Sequence, residues 1–164
     1  MENRSNRSHQ SSTRSRNGQR MTSTPPTPEA LKARVEARSV PFWDTLGIEV
    51  VHIDEPGHAI LRLPMRPALG TRRAEVLHGG AIATLIDAAA GAAIIAMIGD
   101  DPDYSGQATL DINVSYLNAI TTDAIAEARI LRASRSIGFA QVEVSDANGK
   151  LAAIGRVTYS VIRK

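Results

Sequence analysis

Residues 81–98 constrain this chain more than any other segment: the run is almost wholly apolar and rich in alanine, and Asp87 is its single charge. A helix apolar on every side is a helix buried in a core. A carboxylate left unpaired there is costly, and the cost is easiest to understand if Asp87 does chemistry. The run also reaches the lower length limit for a membrane span. Its alanine-rich make-up and the strand-rich chain around it argue against a span, as does Asp87 near its middle, a penalty of about 2.5–3.5 kcal/mol on insertion scales.

His78-Gly79-Gly80 leads into the run, with the histidine nine positions before Asp87. Paired glycines let a ligand approach the main chain closely. The first N–H groups of a helix lack intrahelical partners and sit at the positive end of its dipole. Gly79 and Gly80 therefore suit an oxyanion hole, in which each donor is worth roughly 3–4 kcal/mol. The plainer alternative is that the glycines only make a tight turn and His78 caps something. Nine helical residues span about 13–14 Å and turn through about 900°. One small reacting group can then hardly reach the Gly79 N–H and Asp87 of the same copy. If both act on one carbonyl, the expectation is a dimer with composite sites.

The chain has 164 residues, 43% of them hydrophobic, which suits one core-forming domain. With no cysteine, thiolate catalysis, disulfides and cysteine metal sites are excluded. His9, His52, His58 and His78 form no closely spaced ligand pair, so no metal is expected. No Walker-type loop or dinucleotide fingerprint is present, and no cofactor is expected. Residues 1–28 carry five arginines against one glutamate and end in Thr24-Pro25-Pro26-Thr27-Pro28. They lack apolar periodicity and read as a disordered basic tail preceding a domain over 29–164. Clustered arginines attract polyanions, but no aromatic is interleaved for base stacking, which argues against a nucleic-acid partner. The tail has no continuous apolar stretch of the kind a secretory signal needs; a cytoplasmic location is the expectation.

Residues 29–39 read as a short amphipathic helix after Pro28, and Pro41-Phe42-Trp43-Asp44 as a turn. Strands are expected at 46–53 and 59–63, followed by a polar loop over 64–75 and the buried helix. Residues 107–117 alternate, with Thr109, Asp111, Asn113 and Ser115 on one face and Leu110, Ile112, Val114 and Tyr116 on the other, the pattern of a half-buried strand. Strands at 124–133, 138–145 and 151–162 follow, the last two joined by a turn at Asn148-Gly149. Runs of strands with segregated helices imply an α+β fold with an antiparallel sheet. A helix apolar all round further implies a curved sheet wrapped about it.

The element order and His78-Gly79-Gly80…Asp87 resemble the hotdog-fold thioesterases, most closely the PaaI-like branch of the 4-hydroxybenzoyl-CoA thioesterase superfamily. Residues 109–117 look like that family's strand after the central helix, and 149–159 like its closing hairpin. The resemblance covers roughly residues 40–163. It implies hydrolysis of a medium-chain or aryl acyl-CoA in a homodimer or a dimer of dimers. By resemblance Asp87 is the general base or nucleophile, Gly79 the N–H polarising the carbonyl, and His78 a positioning group beside it. Gly80 falls in the substrate-binding turn, Thr109 matches a residue holding the attacking water, and Arg135 and Ser136 match positions near the CoA moiety. Two departures stand out: Arg72 replaces an asparagine six residues before the histidine, and Asn118-Ala119 follows the strand where relatives carry proline. The competing class is a hotdog module that binds acyl-CoA without turning it over.

Overall fold

The computed structural model of the chain describes residues 25–164. Helix α1 runs Pro28–Glu36, with Thr27 as its N-cap accepting from the Ala30 N–H at 3.3 Å. The basic tail expected over residues 1–28 lies, up to residue 24, outside the described residues. Residues 41–44 do not merely turn: Pro41–Leu46 form a short helix, α2, with proline at its start. Gly47 follows with φ 73°, the left-handed stop that glycine supplies after a helix. Strand β1 is consequently shorter than expected, Glu49–His52, and pairs with β2, His58–Leu63. A 3₁₀ turn at Pro67–Leu69 interrupts the polar loop.

Helix α3, Gly79–Ile98, is the apolar run made continuous. After it come β3, Tyr104–Tyr116; β4, Ala124–Ala133; β5, Ile137–Asp146; and β6, Leu151–Arg163. All pairings are antiparallel in one sheet of order β1-β2-β4-β5-β6-β3. α3 packs against five of the six strands, β2 to β6. A single helix about 10–12 Å across with its side chains can touch that many strands only if the sheet curls around it. The residues at the seam are small: Ala88, Ala89, Ala90, Ala92 and Ala93 of the helix are buried, as are Ala124, Ala126 and Ala128 of β4. Leu31 and Val35 of α1 are fully buried.

The sheet does not wrap α3 completely. Gly80, Ala83, Thr84 and Asp87 keep exposed or half-exposed surface. Their three- and four-residue spacing puts them on one stripe. The membrane-length helix is thus mostly a core helix, with one uncovered line.

The expected half-burial of β3 is corrected in two ways. Most of the strand is exposed on both faces, because it is the last strand of the sheet and lies at the limit of the helix's reach. Its alternation also breaks: Thr109 pairs with Tyr159 but Asp111 with Thr158, leaving Leu110 as an extra residue. Such a bulge switches which side chains face inward. Gln107 and Thr109 therefore bond to α3 before the bulge and Tyr116 after it, although simple alternation sets Thr109 and Tyr116 on opposite faces.

Candidate active site

The N-terminus of α3 is built by His78. Its Nδ1 accepts from the Gly80 N–H at 2.8 Å, so its ring caps the helix and the neutral ring carries its proton on Nε2. His78 thus caps the helix, and the Gly80 amide is engaged in that cap. The Gly79 N–H has no acceptor among the described residues. It is a free donor at the positive end of a twenty-residue helix. Tyr116 holds this peptide from the other side, its hydroxyl donating to the Gly79 carbonyl at 2.8 Å.

Asp87 lies two turns further along the uncovered stripe. Thr109 Oγ1 donates to its Oδ1 at 2.8 Å, and Tyr159 Oη lies 2.8 Å from the same oxygen. No cation is within ion-pair distance of this carboxylate among the described residues. Its charge is therefore met by hydroxyl groups and by whatever lies beyond the stripe. Tyr159 is 5% exposed, and burial pushes its hydroxyl well above the ordinary phenol range, with the Asp87 charge adding to the shift. It remains a protonated donor at any working pH.

Sequence reasoning missed Tyr159, which lies 72 residues from its partner. The available signal was the inward alternation of the last strand, in which Val157, Tyr159 and Val161 are buried together.

Arg135 and Ser136 occupy the turn between β4 and β5 and are not brought to Asp87 or Gly79. Arg135 lies 3.7 Å from Asp103, in the loop beyond the far end of α3, with 79% of its side chain exposed. Arg72 is exposed and unpaired among the described residues. Asn118 ties its turn to β6, Nδ2 donating to the Leu151 carbonyl at 2.9 Å. Among the described residues no His, Asp and Glu side chains cluster as metal ligands. His58 is buried between Asp54 and Glu127, which bond its two ring nitrogens.

A groove of about 360 Å³ opens beside the capped turn, lined by Phe42 and Leu46 of α2, Leu69, His78, Ala81 and Thr84 among others. It is apolar along α2 and polar where it meets the N-terminus of α3.

The family model of the thioesterase superfamily matches residues 74–153, which contain the capped turn, Asp87 and Thr109. A Halobacterium salinarum protein provisionally named an esterase is 35% identical over 127 residues, 72% of this chain and 82% of that one. Human acyl-coenzyme A thioesterase 13 is 31% identical over 137 residues, 79% and 90% of the two chains. The Escherichia coli PaaI protein shares the fold, with a TM-score of 0.68 at 18% identity over 80% of this chain and 91% of that one. The sheet wrapped on α3 is the hotdog fold, and the chain belongs to the thioesterase superfamily.

Proposed function

We propose that the chain hydrolyses the thioester bond of an acyl-CoA with a medium-chain or aryl acyl group, releasing the acid and CoA at sites shared between two copies. The observation that carries this reading is a carboxylate without a cation on the one uncovered stripe of α3, with a free N–H at the head of the same helix. The Gly79 N–H polarises the thioester carbonyl and holds the oxyanion as it forms. Asp87 of the second copy either takes a proton from water as the water adds to the carbonyl carbon, or attacks that carbon itself. In both routes the C–S bond breaks, CoA leaves as a thiolate, and a proton from water ends on its sulfur; where Asp87 attacks, the acyl group is left on it as an anhydride, which water then hydrolyses to release the acid and restore the carboxylate.

Asp87 lies eight positions after Gly79, about 12 Å along the helix, which is why one copy does not present both to one carbonyl. A second copy laid along the stripe would bring the two groups face to face. The thirteen-residue β3, with one unpaired edge and Leu110, Ile112, Tyr116 and Leu117 exposed at 40–59%, supports such pairing. The groove under α2 supports an apolar acyl group. Arg135 would serve CoA only from the far end of the molecule.

Release of CoA from a panel of acyl-CoAs, read with a thiol reagent, tests the reading. Asp87→Ala and Asp87→Asn are expected to lose several-hundredfold or more in kcat, with the melting temperature held or raised. Full activity in Asp87→Asn removes the carboxylate from the mechanism. Stabilisation by acyl-CoA without turnover of any of them overturns the hydrolase reading in favour of a binding module.

A further inference from the structure

We propose that Tyr159 is a positioning residue which, together with Thr109, ties down one oxygen of Asp87 so that the other alone meets water or substrate. The inference rests on Asp87 being the reacting carboxylate. Both hydroxyls lie 2.8 Å from Oδ1, and Oδ2 has no partner among the described residues. A carboxylate free to rotate presents either oxygen; two donors on one oxygen fix the plane of the group and leave the lone pairs of the other unspent. The same hydroxyl lies 2.9 Å from the Asp87 main-chain carbonyl, so its one proton is shared between two acceptors of the same residue.

The two donors form a unit. Thr109 and Tyr159 are directly opposed across the β3–β6 ladder, just before the Leu110 bulge. The tyrosine reaches α3 through a notch at Gly91, one turn beyond Asp87. A methyl group at that position would sit 3.0 Å from Tyr159 Oη and 3.0 Å from Gln107 Nε2. Gln107 closes the notch, donating to the Gly91 carbonyl at 3.1 Å. A side chain at residue 91 would therefore press the hydroxyl and the amide back by a few tenths of an ångström. Among the described residues these two hydroxyls are the side chains that bond to the Asp87 carboxylate, and neither is charged.

Tyr159→Phe removes one oxygen and keeps the ring. It is expected to lower kcat about 10- to 100-fold with KM within about threefold. A fall in kcat with KM nearly unchanged is what a positioning role predicts, since the substrate is held by other groups. Gly91→Ala should lower kcat the same way by crowding the hydroxyl. It should add little in the Tyr159→Phe background, since both changes break one contact. Wild-type kcat in Tyr159→Phe overturns the inference, as does a KM that rises in step with the fall in kcat, which marks a packing role. If Asp87→Asn is inactive while Tyr159→Phe is normal, this inference alone fails; if Asp87→Asn is active, the reading beneath it fails first.

Discussion

Gly79 contributes to the site through its backbone, so deleting its role means deleting an N–H. Position 79 is the first residue of α3, where proline is tolerated because that amide has no helical acceptor. His78 is extended at φ −69° and ψ 137°, a conformation that suits a residue before proline. Gly79→Pro should therefore fold and melt near the wild type while losing about 10²–10³ in kcat, the usual cost of one oxyanion donor. Added atoms at this position meet Tyr116, whose ring carbon lies 3.3 Å from where a Cβ would stand. Gly79→Ala imposes that crowding but keeps the N–H, so it serves as the control and should stay within a few-fold of wild type. Equal losses in the two variants would assign the effect to crowding and take the amide out of the mechanism. His78-Gly79-Gly80 and Asp87 are visible in the sequence as features. Which of two adjacent amides is free is not, because that depends on which way the His78 ring folds back.

At the level of elements, the closeness of α3 to the sheet rests on strand residues without side chains. A Cβ at Gly155 of β6 would stand 2.4 Å from Ile86 Cγ2, and one at Gly138 of β5 would stand 2.3 Å from Ile94 Cδ1. Cδ1 is the far end of a side chain and can swing aside, whereas Cγ2 is fixed by the branch at Cβ. Gly155→Ala should therefore cost about 1–3 kcal/mol, the range for overpacking a close-packed core, and Gly138→Ala should cost less. Urea unfolding followed by circular dichroism measures both; the reverse order would mean that the helix, rather than the side chain, gives way. Elements with strong periodicity are legible in the chain: α3, β4 and the β5–β6 hairpin fall within a residue or two of where patterning puts them. Helix α2 is not found that way, because six residues are too few to show a period. Its signals are local, Pro41 at the start and Gly47 at the stop. The inward facing of Tyr116, on the same side as Thr109, is hidden for a different reason: a one-residue bulge leaves no mark in an alternating sequence, yet it reverses every face after it.

For the whole molecule, two open features of the fold bear on how copies pair. The unpaired edge of β3 and the uncovered stripe of α3 both call for another surface, and the reacting groups sit along that stripe. If two copies meet there in a closed pair, each site takes Gly79 from one chain and Asp87 from the other. The Asp87→Ala and Gly79→Pro chains are each expected to be nearly inactive alone. Unfolded together and refolded as an equal mixture, about half of the pairs are mixed, and each mixed pair has one site with both groups intact, giving about a quarter of wild-type activity. Sites made within one chain predict no recovery at all, since every chain in the mixture then carries a broken site. The recovered fraction, measured after confirming by sedimentation that the refolded material is dimeric or a dimer of dimers, therefore decides between the two arrangements without a bound ligand. Failure to recover, with mixed pairs present, would return Asp87 and Gly79 to separate roles and leave the Gly79 amide without a reacting partner.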